Sequence, residues 1–199
     1  TFYRLPKRDV LSRWASQVPE HFRFVIKASR RITHIKRLKD AEDETEYLLD
    51  TLGELGERLG GVLFQLPPFL RVDVPRLQAF QATLPSSLAV TFEFRHASWH
   101  CQDTYDALAA AGHALCVSHT KKDGDEEEEK LPPAPLLSTA PHAYLRLRAV
   151  HYDDAELAHW LAQLRSVAVD RAFVFFKHED EATGPALAAR FRAMYEAAG

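Results

Sequence analysis

Residues 173–176 read Phe-Val-Phe-Phe, a run of aromatic and β-branched residues with no polar position. Such a run predicts a strand buried on both faces, as in a parallel sheet covered by helices or closed into a barrel. Runs of similar character and strand length recur along the chain at Phe22–Ala28, Val62–Leu66, Ala89–Arg95, Ala114–Ser118, Ala143–Arg148 and Ala172–Lys177. The sequence therefore predicts six strands.

Segments with apolar residues at helical spacing separate most of these strands. They are marked by Leu11 and Trp14, Leu48 and Leu52, Leu77 and Phe80, Tyr105 and Leu108, Leu157 and Leu161, and Leu187 and Phe191. Strand and helix in alternation predict βα units, which require a parallel sheet. Because neither G-x-G-x-x-G nor G-x-x-x-x-G-K-[ST] occurs, we expect an α/β fold of the TIM-like (β/α) barrel type rather than a nucleotide-binding open sheet.

Two helix boundaries have residues typical of caps. Asp153 and Glu156 have the spacing of a capping box. Asp103 is placed to cap the start of a helix whose end is marked by Gly112.

Two regions depart from the regular alternation. The connection from Ser118 to Ala143 combines an acidic run with a proline-rich stretch and has no helical period, so we expect a long loop in place of a helix. An eight-stranded barrel typically takes about 250 residues, whereas this chain has 199. We therefore expect residues 1–199 to form a single barrel domain whose first strand lies upstream of Thr1.

Composition and charge exclude several classes of protein. The chain has 25 Lys and Arg against 28 Asp and Glu, which excludes a generally basic coat for nucleic acid and leaves only a local patch. No apolar run approaches the ~18 residues of a membrane span, and no signal-peptide pattern opens the chain. Cys101 and Cys116 lack C-x-x-C spacing, which supports neither a disulfide framework nor a cysteine-rich zinc site. We expect a soluble, cytoplasmic protein without a membrane partner.

The side chains that meet a ligand in a βα barrel stand at the carboxyl ends of the strands. Polar residues at the predicted strand ends are Lys27, Gln65, Glu93, Arg95, His96, Arg146 and Lys177. Glu93 and Arg95 share one strand face because side chains alternate along a strand. We interpret Glu93 as a general acid or base and Arg95 as an anion-binding fork, with His96 as a third catalytic candidate. Lys27, Gln65, Arg146 and Lys177 are expected to bind the substrate.

Structural alternatives exist for the pair Glu93 and Arg95 and for Trp99, a further candidate for substrate binding that follows them in the sequence. Glu93 and Arg95 also fit an ion pair that shapes the mouth of the barrel without taking part in chemistry. Trp99 could stack on a sugar or base, but a tryptophan packed into the rim of the barrel fits equally well.

The segment from residue 27 to residue 39 contains six Lys and Arg and no acidic residue. A phosphate group on a sugar, a nucleotide or a nucleic acid is the natural partner of such a cluster, although a solvated loop is the structural alternative. Two classes of function remain open. One is an enzyme of the hydrolase, lyase or isomerase type acting on an anionic substrate. The other is a non-catalytic module that binds nucleic acid or protein through this basic segment.

Six blocks of sequence occur in a recognisable order: Thr1–Pro6, Phe24–Ala28 with Thr33-His34, Leu63–Pro68, Phe92–Trp99, Tyr144–Leu147 and Phe175–Glu179. Together they resemble the YecE-like family, DUF72. The resemblance spans essentially the whole chain and implies a βα barrel of unknown function whose first strand precedes Thr1. It implies these positions as the family's motif residues: Tyr3, Lys27, Thr33, His34, Gln65, Glu93, Arg95, His96, Trp99 and Arg146.

A metal site is the weakest hypothesis, and no cofactor is assigned. Histidines and carboxylates near the predicted strand ends are Glu93, His96, His119, His178 and Glu179. No H-E-x-x-H or D-x-D-x-D-G spacing selects a set of ligands among them. The barrel implied by the resemblance is similar to the xylose-isomerase-like and endonuclease-IV-like group, but the sequence does not reproduce the ligand-rich pattern of that group.

Overall fold

The structure, a computed structural model, describes residues 2–121, 132–176 and 183–197. The chain forms two compact units, Thr1–His113 and Ala114–Gly199. Each unit contains three parallel strands with helices in the crossovers. The prediction of an α/β chain with six parallel strands is confirmed.

In the first unit, strands β1 (Phe24–Lys27), β2 (Leu59–Gln65) and β3 (Val90–Glu93) are neighbours in that order. The helical elements are α1 (Arg8–Gln17), a π-helix (Arg31–Ile35), α2 (Glu42–Leu52), a 3-10 helix (Gly53–Arg58), α3 (Val74–Gln81), a 3-10 helix (Ala97–Trp99) and α4 (Gln102–Ala111). Helices occupy the crossovers between these strands, as the return of a chain to a parallel strand requires.

One face of this sheet is apolar and packs against helices. Phe64 of β2 and Phe92 of β3 stack with their ring centroids 5.5 Å apart. Phe80 of α3 meets Phe64 edge-on at 5.1 Å. Aromatic pairs of this kind stabilise a core by about 0.5–1.5 kcal/mol each beyond their burial. Because side chains alternate along a strand, the opposite face is left for residues of other character.

In the second unit, strands β4 (Ala114–His119), β5 (His142–Leu147) and β6 (Arg171–Phe176) pair in parallel with helices α5 (Asp154–Arg165) and α6 (Thr183–Ala197). Leu145 of β5, Leu157 and Leu161 of α5, and Phe191 of α6 form the centre of its core.

The loop predicted between β4 and β5 is described only in part. Residues 120–121 and 132–141 contain no helix. The acidic part of the prediction, residues 122–131, lies outside the described residues.

The prediction that residues 173–176 are buried on both faces is wrong. Val174 and Phe176 pack against the core of the second unit. Phe175 points to the opposite face and is 40% exposed, with the ring of Tyr144 at 5.1 Å. Val174 and Phe176 face the core that α5 and α6 help to form, whereas no such core covers the ring of Phe175 fully.

The helix boundaries confirm two of three predictions. Asp153 and Glu156 form the expected capping box, with both side-chain to backbone bonds at 2.8 Å. Gly112 ends α4 in the left-handed conformation, at a φ of 66°. The prediction that Asp103 caps α4 is wrong because the helix already begins at Gln102. Asp103 lies in the first turn, where its charge is favourable to the helix N-terminus.

Both cysteines are free thiols, and Cys116 is buried in β4. Across the described ranges, no helix combines the length and the apolar character that crossing a lipid bilayer requires.

Candidate functional site

The carboxyl ends of β1, β2 and β3 bring three polar side chains to one face of the sheet. Gln65 is the register partner of Glu93, and Lys27 is the partner of Leu63, two residues before Gln65. Partner residues in parallel strands point to the same side, so Lys27, Gln65 and Glu93 lie on the face opposite to Phe64. Gln65 and Glu93 are buried, and Lys27 is half-buried.

Arg95 and Glu93 form a buried ion pair on this face. Nε of Arg95 donates to Oε1 of Glu93 at 2.8 Å, with the two side chains 8% and 2% exposed. Removing two charges from water is costly and is offset only by close, well-directed contacts. Such an ion pair is the structural alternative to a chemical role that the sequence left open. The pair holds the guanidinium of Arg95 in a defined position.

His34 lies in the π-helix that follows β1. Its Nδ1 is 2.9 Å from Oγ1 of Thr33. The same Thr33 hydroxyl donates to the carbonyl oxygen of Ser29 at 3.2 Å, and Thr33 is fully buried. The family resemblance implies both Thr33 and His34 as motif residues. The contact between them orients the imidazole of His34. π-Helical turns are rare and occur frequently at functional sites.

Three cations act on His34 from two parts of the first unit. Burial lowers the pKa of His34, and the positive charges of Lys27, Arg30 and Arg95 lower it further. Lys27 ends β1 and Arg30 directly precedes the π-helix, whereas Arg95 follows β3. The polar ends of β1 and β3 therefore share one electrostatic environment.

Phe2 forms an aromatic wall beside these groups. Nζ of Lys27 lies 3.9 Å from the centroid of the Phe2 ring, and the ring of His34 meets it edge-on at 5.0 Å. The N–H of Arg30 donates to the carbonyl oxygen of Phe2 at 2.9 Å. Tyr3 packs against Phe2 but is 80% exposed.

Sequence reasoning did not assign Phe2 or Arg30 to the site. Both lie within stretches that it had singled out, since Phe2 precedes Tyr3 and Arg30 belongs to the basic segment. The contacts that distinguish them from their neighbours arise only when the N-terminal segment packs against β1.

Trp99 does not join the polar side chains. Its ring stacks on Phe94 at 4.6 Å, its Nε1–H donates to the carbonyl oxygen of Leu70 at 2.8 Å, and it is 1% exposed. Phe94 itself stacks on Phe92, on the helix-facing side of β3. The structure thus matches the alternative in which Trp99 is a core residue, and its ring is not open to a substrate.

His96 forms the N-cap of the short 3-10 helix that contains Trp99. Its Nδ1 accepts the backbone N–H of Ser98 at 3.1 Å and lies 2.8 Å from the Ser98 hydroxyl. The Ser98 hydroxyl in turn accepts the N–H of Val72 at 2.9 Å. These contacts give His96 a structural role in the turn after β3, and the proposal of a catalytic role stays untested.

The basic segment is partly neutralised. Arg31 and Lys36 both form ion pairs with Glu44 of α2, at 2.9 and 2.7 Å. These cations also lower the pKa of Glu44, with the hydrogen bond from Lys36 as the largest cause. Arg37 and Lys39 remain exposed on the surface.

The other predicted residues belong to the second unit. Arg146 is a half-buried residue of β5, the register partner of Ser118 and Phe175. His119 faces helix α5, with Nδ1 at 2.8 Å from the hydroxyl of Tyr152 and its ring 5.2 Å from that of Trp160. Lys177 lies outside the described residues.

In the part of the chain that the structure describes, no three His, Cys, Asp or Glu side chains cluster as metal ligands. Two of the candidate ligands, His178 and Glu179, lie outside that part.

Comparison with known proteins identifies the family. The family model described as "Protein of unknown function DUF72" matches residues 1–199. The chain belongs to the DUF72 family. Two curated relatives, both named UPF0759 protein YecE, come from Escherichia coli K12 and O157:H7. Each is 34% identical over 97 residues, which cover 48% of this DUF72 chain and 36% of the relative. The match therefore spans only about a third of the length of these relatives.

Solved structures of DUF72 proteins share the fold of the chain. A DUF72 family protein from Thermotoga maritima MSB8 superposes with a TM-score of 0.80 at 24% identity, covering 98% of this chain and 82% of that one. A DUF72 family protein from Enterococcus faecalis V583 gives a TM-score of 0.78 at 18% identity, covering 98% and 86% of the two chains. These likenesses confirm both the resemblance and the predicted fold class.

Proposed function

We propose that the polar face at the ends of β1–β3 binds an anionic group, such as the phosphate of a sugar or a nucleotide, and that the protein is an enzyme acting on a molecule with that group. The observation that carries the proposal is that strand register and alternation bring Lys27 and the buried guanidinium of Arg95 to one face of the sheet end. The positive charges of Lys27, Arg30 and Arg95, which lower the pKa of His34, support it. A positive field of this kind around a half-buried group favours an anion beside it.

Glu93 has a defined task in this arrangement. Its carboxylate holds Nε of Arg95 at 2.8 Å, so the guanidinium is oriented before an anion arrives. A pre-oriented fork loses little side-chain freedom on binding, which favours bidentate contact with phosphate or carboxylate oxygens. Gln65, the register partner of Glu93, adds an amide that can orient an uncharged part of the ligand.

Direct titration tests the anion site. The 199-residue chain is titrated with inorganic phosphate and with ribose 5-phosphate, and ribose serves as the uncharged reference. We expect both anions to bind and ribose to bind far more weakly. Lys27→Gln and Arg95→Gln should each weaken phosphate binding by about tenfold or more, because each removes a charge-assisted hydrogen bond.

Two exposed residues of the basic segment provide matched controls. Arg37→Gln and Lys39→Gln remove the same charge from the same segment, and we expect each to change phosphate affinity less than about twofold at roughly 0.15 M salt, where exposed charges are screened. Equal losses of phosphate affinity in all four variants would instead indicate nonspecific binding that includes the exposed part of the basic segment. If neither phosphate nor ribose 5-phosphate binds, the proposal is refuted.

A catalytic role is tested by turnover. A panel of phosphorylated sugars and nucleotides is screened with the wild-type chain, and Glu93→Gln is then measured on whichever compound is converted. Loss of turnover with retained phosphate binding would show that the carboxylate of Glu93 is needed for the reaction and not only for binding. Unchanged turnover would restrict Glu93 to positioning Arg95.

The alternative function, a non-catalytic module that binds nucleic acid or an acidic protein, has weaker support. Glu44 already engages two of the six cations of the basic segment. This alternative predicts salt-dependent binding of an oligonucleotide that is lost in Lys36→Glu and Arg37→Glu. Binding that ignores salt, or no binding, would exclude it.

The two free thiols, one exposed in part and one buried, are consistent with a reducing compartment. We place the protein in the cytoplasm as part of this proposal.

A further inference from the structure

A general base at this site needs a lone pair that can accept a proton near neutral pH. The carboxylate of Glu93 is a poor candidate because it is 2% exposed and already accepts a hydrogen bond from Arg95. Imidazole is the side chain best suited to proton exchange in this pH range. His34 is half-buried among the same cations.

One tautomer of the His34 ring satisfies both hydrogen bonds of Thr33. A threonine hydroxyl has a single proton, and that of Thr33 donates to the carbonyl oxygen of Ser29 at 3.2 Å. With its proton used in this way, Thr33 can only accept in its contact with Nδ1 of His34, which lies 2.9 Å away. This contact is then a hydrogen bond only if Nδ1 carries a proton. A neutral imidazole protonated at Nδ1 has its free lone pair at Nε2.

Charged groups from three segments of the first unit disfavour a second proton on the ring of His34 before an anion binds. Lys27 comes from β1, Arg30 from the residue before the π-helix, and Arg95 from the segment after β3. Phe2 adds an apolar ring edge-on at 5.0 Å. Burial and these three charges all lower the pKa of His34, so the ring is neutral near pH 7.

We infer that His34 is the proton acceptor of the anion site, and that Nε2 takes up a proton once an anion is bound beside Lys27, Arg30 and Arg95. The inference rests on the proposed function. An anion offsets the three positive charges, which stabilises the imidazolium at the moment a substrate needs a base. In the transfer, an O–H bond of the substrate or of water breaks, its electron pair stays on the oxygen, and a new N–H bond forms at Nε2.

Thermodynamic linkage makes this coupling measurable without knowing the substrate. If an anion raises the pKa of His34, protonation of His34 must strengthen binding of that anion by the same factor. Sulfate is the probe because it stays a dianion throughout the titration of histidine. Sulfate should bind about tenfold more tightly to the protonated form for each unit by which it raises the pKa of His34.

Histidine-selective NMR of the full chain provides the readout. In the absence of sulfate, ¹⁵N shifts should report an Nδ1–H tautomer for His34. Saturating sulfate should raise the midpoint of its titration. The ring shifts of His21, an exposed residue of the same unit, serve as the reference for general salt effects.

Two variants test the mechanism of the coupling. His34→Gln should remove the strengthening of sulfate binding that the wild-type chain shows between pH 7 and pH 5. Thr33→Val, which keeps the side-chain shape but has no oxygen, should raise the share of the Nε2–H tautomer of His34.

Each result separates the two claims. Sulfate binding with an unmoved His34 midpoint, or an Nε2–H tautomer in the free wild-type protein, overturns the inference and leaves the proposed anion site intact. Absence of sulfate binding overturns both. Sulfate binding together with a raised midpoint supports both.

Discussion

Nε of Arg95 and Oε1 of Glu93 are 2.8 Å apart, in a pair whose side chains are almost completely removed from solvent. Alternation along the end of β3 puts both on the face that also bears Lys27 and Gln65. The intervening Phe94 points to the other face and stacks on Trp99. One short stretch of chain thus supplies both the charged face and the apolar face of the sheet end.

Breaking the ion pair from one side should destabilise the protein strongly. Arg95→Met leaves the Glu93 carboxylate buried without this partner, and we expect the free energy of unfolding to fall by about 3–5 kcal/mol in urea titrations. The double variant Glu93→Leu with Arg95→Met should recover most of this loss, because both charges of the pair are then replaced by apolar side chains. A loss below about 1 kcal/mol for Arg95→Met would show that the pair contributes little.

Replacement of Trp99 distinguishes a core residue from a ligand platform. Trp99→Phe keeps the stacking on Phe94 but leaves the carbonyl oxygen of Leu70 without its indole donor. We expect the free energy of unfolding to fall by about 1–3 kcal/mol. Phosphate affinity should stay close to that of the wild type. A stable variant with strongly weakened phosphate binding would return Trp99 to the set of binding residues.

Gly61 occupies a position in β2 that has no room for a side chain. A Cβ there would lie 2.7 Å from the backbone carbonyl oxygen of Ala89, which β2 itself uses as an acceptor for the N–H of Val62. We expect Gly61→Ala to lower the free energy of unfolding by about 1–3 kcal/mol.

The matched control is Gly53→Ala. Gly53 has a helical φ of −53°, and no atom lies within 4 Å of the position that a Cβ would take. This substitution should leave the stability unchanged or raise it by up to about 1 kcal/mol. Equal losses in the two variants would contradict the steric explanation.

His142 should make the protein sensitive to acid. Burial lowers the pKa of His142, and the charge of Arg171 lowers it further. The unfolded chain therefore takes up a proton at higher pH than the folded chain. Stability is complete above the ordinary histidine pKa of about 6.5 and declines as the pH falls from there toward the lower pKa of the folded state.

The variant His142→Leu removes this contribution. We expect the slope of unfolding free energy against pH, measured between about pH 5 and pH 6.5, to decrease by up to about 1.4 kcal/mol per pH unit. The pKa values of His34 and His100 are also lowered, mainly by burial, so part of the slope should remain. An unchanged slope would show that His142 is not the titrating group.

The amino-acid pattern was sufficient to predict the strands and most of the helices. Apolar runs of strand length identified β1–β6, and the capping box at Asp153 and Glu156 identified the start of α5. These features depend on residues close together in sequence, whose backbone preferences and hydrogen bonds are local. Strand ends could also be inferred, which is why the sequence indicates Lys27, Gln65 and Glu93 as candidate site residues.

Other assignments depended on contacts between distant segments. Both Trp99 and Arg95 follow β3 closely, and only packing shows that one enters the core while the other joins Glu93. Phe2 reaches Lys27 because the N-terminal segment folds back on β1. Phe175 belongs to an apolar run that predicts burial, yet its exposure depends on which face the helices cover.

The sequence by itself determined the α/β class, the alternation of strands and helices, and the polar residues at the strand ends. Hydrophobic periodicity and helix capping depend on residues that are close together in the chain. The tertiary structure decided which of those polar residues share an environment. Strand register aligns Gln65 with Glu93, and folding brings His34 under the electrostatic influence of Lys27, Arg30 and Arg95. Proximity in space and removal from water, which lower the pKa of His34, arise only when distant segments pack together.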